Sequence, residues 1–232
     1  MPDSAASSDI RPRQLALALA HAESFAREDF LEGASNAAAL ALVEAWPDWS
    51  ARVAMLVGPE GCGKSHLAAI WASAAGARVV AARALTETDP PIALATGALV
   101  IEDLAPGGVD EAALFHLLNL AREEGAYVLI TARTPPAGWP IALRDLASRL
   151  RVLPTVAVAA PGDMLLRAVV VKLCADRQLA VDESVIGYLV KHIERSFAAA
   201  RAAVARLDRE ALQQKRPISR ALAAELFRNG EA

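Results

Sequence analysis

The chain has 232 residues, of which 54% are hydrophobic and 22% charged, and its formal net charge is −3. That length accommodates one α/β domain and a smaller second one with an apolar core, and the mild negative charge argues against a dedicated DNA-binding protein. No apolar run approaches the ~18 residues of a membrane span, and residues 1–10 lack the segments of a signal peptide, so we expect a cytoplasmic protein without membrane contacts.

Residues 1–13 are rich in Ser, Asp, Pro and Arg without hydrophobic periodicity, which predicts a flexible tail. The following segment, 14–19, has leucine at every second position. As an extended strand it would place Leu15, Leu17 and Leu19 on one face. Two interpretations stay open: a peptide that binds a partner, or the first strand or helix of the domain.

Further along the chain, predicted strands alternate with predicted helices. The strands are expected at 53–57, 78–82, 98–101, 127–131 and 151–158, and the helices at 35–45, 64–75, 110–123 and 141–148. This alternation is typical of a parallel five-stranded α/β sheet flanked by helices on both faces. Beyond Pro161 only helices are predicted, at 162–177, 182–193, 196–213 and 219–228. We therefore divide the chain into an α/β domain, 20–160, and a small helical domain, 161–232.

A phosphate-binding loop follows the strand predicted at 53–57. Its eight residues have GxxxxGKS spacing and lead directly into a helical stretch at His66: Gly58, Pro59, Glu60, Gly61, Cys62, Gly63, Lys64 and Ser65. The glycines allow backbone N–H groups to converge on a phosphate, and the helix adds its positive end. Lys64 would reach the terminal phosphates, and the Ser65 hydroxyl would bind Mg²⁺.

Three further positions at strand ends or turns suit phosphate chemistry. Glu102 and Asp103 end a buried strand, where adjacent acids suggest a nearby cation. Thr131 ends another strand and could face the terminal phosphate or the attacking water, although a threonine is ordinary at such a position. Arg149 belongs to an arginine-rich turn and could donate to two phosphate oxygens, the alternative being a solvated surface arginine.

The order of these motifs resembles that of AAA+ ATPases, and several strings resemble the DnaA branch. The four matching stretches are 30–36 (FLEGASN, like FxxGxSN), 63–67 (GKSHL, like GKTHL), 129–136 (LITARTPP, like ITSDRPP) and 146–150 (LASRL, like the box with the arginine finger). The resemblance covers about residues 14–228. It implies an AAA+ P-loop NTPase fold with an all-helical lid, binding ADP or ATP with Mg²⁺ through residues 58–66.

The same resemblance assigns roles to individual residues. Glu102 would hold Mg²⁺ together with Ser65, Asp103 would orient water, and Thr131 would be the sensor 1 residue. The branch usually has an aspartate where Glu102 stands, and the shorter Asp103 would lie farther from its target, so slow hydrolysis is expected. Ala198 stands where the branch has its sensor 2 arginine, and Arg201, three residues on, is the candidate substitute.

Within the branch, the chain is most similar to the regulatory inactivators of DnaA, the Hda type. Residues 14–19 (QLALAL) resemble the QLxLPL peptide by which these regulators bind the DNA polymerase III sliding clamp, with Gln14, Leu15, Leu17 and Leu19 entering an apolar groove. An initiator would continue past the lid into a helix-turn-helix domain, whereas the sequence stops at Ala232, so we expect a protein other than an initiator.

The resemblance implies two protein partners, DnaA and the clamp, and no sequence-specific DNA binding. Arg149 would act in trans as an arginine finger in the ATP site of DnaA, and head-to-tail contacts would also permit a homodimer. Two other functions stay open: an AAA+ helicase loader or related ATPase that binds single-stranded DNA, and a small-molecule P-loop kinase. The aromatic content of 5% argues against a surface built for single strands.

Overall fold

The computed structural model describes residues 25–228, so the predicted clamp-binding segment 14–19 lies outside the described residues. Five strands form one sheet: β1 (Val53–Val57), β2 (Arg78–Ala81), β3 (Ala98–Leu104), β4 (Tyr127–Ala132) and β5 (Thr155–Ala157). The helices between them are α1 (Ala37–Glu44), α2 (Lys64–Ala75), α3 (Pro90–Leu94), α4 (Glu111–Glu124) and α5 (Arg144–Arg151). Four more follow: α6 (Asp163–Asp176), α7 (Glu183–His192), α8 (Phe197–Gln214) and α9 (Arg220–Leu226).

The sheet has the strand order β2-β3-β4-β1-β5, and all neighbouring strands are parallel. This confirms the predicted parallel five-stranded sheet. Side chains of β1 alternate between two apolar clusters, with Met55 and Val57 on one face and Ala54 and Leu56 on the other. Both faces are therefore covered by helices, which explains why the central strands are apolar throughout.

Several boundaries differ from the sequence prediction, most clearly those of β3, α5 and β5. Strand β3, expected to end at 101, continues to Leu104. The helix expected at 141–148 runs from Arg144 to Arg151, and the strand expected from 151 begins only at Thr155. Leu150 is buried and extends the helix by another turn, whereas Pro154 disfavours helical backbone at the residue before it. The short helix α3, which begins at Pro90, was not predicted.

Helices α6 to α9 pack around an apolar cluster of their own, which includes Leu166, Leu189, Val204 and Phe227. We call these four helices the lid. The boundary predicted near residue 160 falls between the last sheet contact, Val158 N–H to Val57 O at 2.7 Å, and the start of α6. Within residues 25–228, no helix is long and apolar enough to cross a membrane.

Candidate nucleotide site

The loop of residues 58–65 lies at the carboxyl end of β1, where ligands bind in open parallel sheets. Its backbone adopts positive φ angles at Gly61 (70°) and Gly63 (102°), which residues with a side chain rarely adopt. Helix α2 starts at Lys64 immediately afterwards, so its N-terminal N–H groups face the space enclosed by the loop. The loop thus has the shape that the spacing predicted.

The lid packs directly on this loop. The Phe197 N–H donates to Gly61 O at 2.8 Å. A Cβ at Gly61 would lie 2.8 Å from the Ser196 Cβ, and one at Gly63 would lie 3.1 Å from the Phe197 ring. The glycines therefore serve a second purpose that their spacing does not reveal: they let the first turn of α8 approach the loop.

Lys64 is 6% exposed, and its ammonium lies inside the loop. It donates to Gly58 O at 2.8 Å and to Pro59 O at 2.7 Å, and it lies 3.8 Å from the Cys62 Sγ. A buried charge of this kind needs such partners. Because the bonds are to neutral carbonyls, a phosphate oxygen offers the ammonium a stronger, charge-assisted bond in the same place.

A cavity of about 600 Å³ lies between the loop and the lid. From the loop side it is lined by Glu60, Gly61, Gly63, Lys64, Ser65 and His66. From the lid side it is lined by Val169, Lys172, Leu173, Phe197, Ala198 and Arg201. This volume is within the range of small-molecule and cofactor sites. Among the described residues, the lining leaves out three of the predicted nucleotide ligands: Gly58, Pro59 and Cys62.

The apolar end of the cavity is formed by the stretch that resembles FxxGxSN. Phe30 and Leu31 line the cavity, and the Phe30 ring meets His66 edge to face with centroids 5.1 Å apart. Asn36 is buried and fixes the stretch, because its Oδ1 accepts from Gly33 N–H at 2.8 Å and its Nδ2 donates to Leu31 O at 3.0 Å. An apolar wall with few polar groups suits a nucleobase.

The two acids at the end of β3 differ in their position relative to the cavity. Asp103 has a φ of 54°, and the pairing with β4 shifts register between Ile101 and Leu104. As a result Asp103 lines the cavity, whereas Glu102 is not part of the lining that the described residues form. The sequence prediction assigned Glu102 to the metal and Asp103 to the attacking water, and of the two it is Asp103 that reaches the cavity among the described residues.

Thr131 is buried at the end of β4, and it does not line the cavity within the described part of the chain. Its Oγ1 accepts a hydrogen bond from the Asp103 N–H at 3.0 Å. The hydroxyl therefore supports the irregular turn at Asp103. The sequence prediction had this hydroxyl facing the terminal phosphate or the attacking water. In the structure it accepts from the Asp103 N–H, which the register shift takes out of the strand pairing.

Two oxygen donors of the kind that bind Mg²⁺ line the cavity. The Ser65 hydroxyl and the Asp103 carboxylate both line the cavity, and hard oxygen ligands are those that Mg²⁺ prefers. The loop amides, Lys64 and these two oxygens together fit a nucleotide phosphate with its metal. Ala198 and Arg201 also line the cavity, from the side of the lid.

Arg149 is located elsewhere, on α5. Its Nη1 donates to Asn119 Oδ1 at 2.7 Å, and its guanidinium lies 5.0 Å from the Phe115 ring centroid, both on α4. The side chain is half-buried and is not among the cavity-lining residues of the described chain. Next to α5, Val152 is 79% exposed.

Five charged residues that line the cavity were not singled out from the sequence: Asp29, Arg133, Lys172, Asp176 and Arg177. Arg133 lies at the end of β4 and pairs with Glu60, and Lys172 on α6 pairs with Asp29 at 2.7 Å and with Asp176 at 2.9 Å. Only the spacing of Lys172 and Asp176, four residues apart on a helix, was visible in the sequence. The other pairs join distant segments.

Lys172 connects the lid to the turn that contains Asp29, and replacing it with methionine should loosen this connection. The Asp29 carboxylate, followed by that of Asp176, raises the pKa of Lys172 above its usual 10.5. The charged lysine therefore stabilises the fold fully below pH 10.5 and less as pH rises through the raised pKa. We expect Lys172→Met to lower the free energy of unfolding by about 1 kcal/mol at pH 7.

Urea denaturation of both proteins at several pH values measures this difference. It should shrink as pH rises from 10.5 through the raised pKa of Lys172, where the wild-type protein loses this proton. Lys191→Met, at an exposed lysine of α7, is the matched control and should change stability by less than about 0.5 kcal/mol. Equal effects of the two substitutions at pH 7 would show that the ion pairs of Lys172 stabilise nothing.

The fold of this chain resembles that of several proteins of known structure. No protein-family model and no curated protein matches the sequence. Domain III of the Thermotoga maritima replication initiation protein DnaA superposes with a TM-score of 0.73 at 18% identity, covering 88% of this chain and 96% of that domain. AMPPCP-bound DnaA from Aquifex aeolicus gives 0.63 at 18% identity, over 81% of this chain and 67% of that one.

A second group of similar structures consists of branch-migration motors. The Thermotoga maritima RuvB Holliday junction branch migration motor has a TM-score of 0.64 at 17% identity, covering 82% of this chain and 66% of that one. At sequence identities of 17–18% these similarities establish a shared fold and no shared function. The chain is thus DnaA-like in architecture and has the AAA+ fold, a parallel five-stranded sheet between helices followed by a helical lid, that DnaA and RuvB share.

Proposed function

We propose that this protein is a regulatory inactivator of DnaA. It holds an adenine nucleotide in its own cavity and stimulates ATP hydrolysis by DnaA through Arg149, supplied in trans. The sliding clamp of DNA polymerase III, bound through residues 14–19, confines this activity to replicating DNA. The DnaA-like fold and the motifs of the sequence support the proposal. Its main support is the position of Arg149, which lies on α5 and does not line the chain's own cavity.

Arg149 lies outside the chain's own cavity, and two contacts fix the orientation of its guanidinium. Asn119 and Phe115 restrict the guanidinium by one hydrogen bond and one cation–π contact. Neither contact neutralises the charge of the guanidinium, so a phosphate of a nucleotide bound to a second protein can replace them. The neighbouring Val152 is an exposed apolar side chain of the kind that a protein partner would cover.

The chain's own cavity supports holding a nucleotide more than hydrolysing it. The amides of Gly61 and Gly63, with Lys64, would bind the phosphates, and Ser65 and Asp103 would hold Mg²⁺. Thr131 is engaged with the Asp103 N–H, and position 198 is an alanine. The Aquifex aeolicus DnaA that matches this fold binds AMPPCP, which favours adenine as the base here.

The proposed clamp contact is tested by a pull-down with purified sliding clamp. A glutamine and spaced leucines match an apolar groove that accepts an extended peptide, so Gln14→Ala should reduce clamp retention at least about tenfold. Gln178→Ala, a glutamine between α6 and α7, serves as the control and should leave retention unchanged. Equal retention of wild type and Gln14→Ala would contradict the assignment of residues 14–19.

The whole proposal is tested by single-turnover hydrolysis of ATP bound to purified DnaA. We expect the wild-type protein with ADP to accelerate hydrolysis when clamps are loaded on DNA, and to accelerate it less when clamps are omitted. Absence of acceleration would overturn the regulatory role. Binding to single-stranded oligonucleotides without acceleration would instead support the helicase-loader alternative.

A further inference from the structure

Arg133 and Glu60 form an ion pair at the phosphate end of the cavity. The Arg133 Nη1 lies 2.7 Å from the Glu60 Oε2, and both side chains line the cavity. Arg133 is the first residue after β4, and Glu60 belongs to the phosphate-binding loop. None of the roles described above uses the Arg133 guanidinium.

The backbone holds Arg133 beside the loop. Val57 and Ala132 are register partners on neighbouring parallel strands, and the Gly58 N–H donates to Ala132 O at 3.1 Å. Arg133 therefore leaves the sheet where the loop begins, at the edge where parallel sheets bind their ligands. The same cavity is lined by Lys64, Ser65 and Asp103, which are the residues suited to phosphate and metal.

Arg133 can exchange its partner Glu60 for another anion at little cost. The side chains of Arg133 and Glu60 are 59% and 73% exposed, and pairs that exposed contribute little free energy in water. A terminal phosphate carries more charge than a carboxylate and accepts two parallel N–H bonds from a guanidinium. Within the cavity a triphosphate would thus compete successfully with Glu60 for Arg133.

We propose that Arg133 is a ligand of the terminal phosphate of a nucleoside triphosphate bound in this chain's own cavity. Glu60 holds the guanidinium when a diphosphate is bound. The pair then distinguishes the two nucleotides, because only the third phosphate draws Arg133 away from the loop. The inference rests on the proposed nucleotide site but not on DnaA or the clamp as partners.

Calorimetric titration of the purified protein with ADP and with AMPPCP, each with Mg²⁺, tests the assignment. Arg133→Ala should raise the Kd for AMPPCP about tenfold or more and change the Kd for ADP less than about twofold, since a charge-assisted bidentate contact is lost for one ligand only. Arg209→Ala removes an exposed arginine of the lid that does not line the cavity, and it should change neither Kd.

Glu60→Gln provides the opposite change at the same place. The neutral side chain at position 60 neither competes for Arg133 nor repels the third phosphate. AMPPCP should therefore bind to this variant about threefold to tenfold more tightly than to the wild type. Equal weakening of both nucleotides by Arg133→Ala, or no weakening, would overturn the role of Arg133. A wild-type protein that binds neither nucleotide would overturn the nucleotide site as well.

Discussion

Replacing Arg149 with alanine should abolish the stimulation of DnaA, lowering the stimulated rate of ATP hydrolysis by about 10³-fold or more. An arginine finger stabilises the charge that develops on the transferred phosphoryl group, and this range is the one observed when such a finger is supplied in trans. The substitution leaves the cavity intact, because Arg149 contacts Asn119 and Phe115 and not the cavity. ADP affinity should therefore be unchanged.

The matched control for this substitution is Arg151→Ala. Arg151 ends the same helix, is exposed, and has the same charge, so its loss should alter the electrostatic field of the surface but not the finger itself. Stimulation should fall less than about threefold, as expected for a charge at the rim of an interface. A similar loss in both variants would mean that general positive charge, and not Arg149, activates DnaA.

Replacing Gly58 with alanine should destabilise the protein by about 3 kcal/mol, which corresponds to a decrease in Tm of about 6–12 °C. The added Cβ would lie 2.0 Å from the Val158 carbonyl oxygen and 2.9 Å from the Cys62 Sγ. Val158 cannot retreat freely, because its N–H donates to Val57 O at 2.7 Å. The clash must therefore separate β5 from β1 or distort the loop.

Gly187→Ala tests whether this cost is specific to position 58. Gly187 lies within α7, and beyond its chain neighbours and the adjacent backbone of the helix, no described atom lies within 4 Å of a Cβ built there. Alanine should raise stability by about 0.5–1 kcal/mol, because it loses less conformational entropy than glycine in a helix. Thermal unfolding followed by circular dichroism measures both variants. An unchanged Tm for Gly58→Ala would contradict the close packing of the loop against β5.

The sheet and the loop could be predicted because their determinants are local. Apolar runs of strand length reveal β1 to β4, and the spacing from Gly58 to Ser65 can be recognised as a phosphate-binding loop without knowledge of the rest of the chain. The late start of β5 also has a local cause, Pro154, but the apolar run around it concealed the boundary.

The orientation of individual site residues could not be predicted, since it depends on contacts between distant segments. Asp103 faces the cavity only because the register of β3 against β4 shifts there, and a shift leaves no mark on the residue pattern. The pairing of Arg133 with Glu60 follows from the neighbouring positions of β4 and β1. Lys172 meets Asp29 only once the lid has docked.

The bond from the Phe197 N–H to Gly61 O has a consequence for protein synthesis. Its two ends are far apart in sequence, and the chain emerges from the ribosome with the loop long before α8. Until α8 has been made, the loop lacks the contact that fixes it, and the cavity lacks the part of its wall that Phe197, Ala198 and Arg201 form. We expect a nascent chain to acquire nucleotide affinity late, after its last long helix has left the exit tunnel.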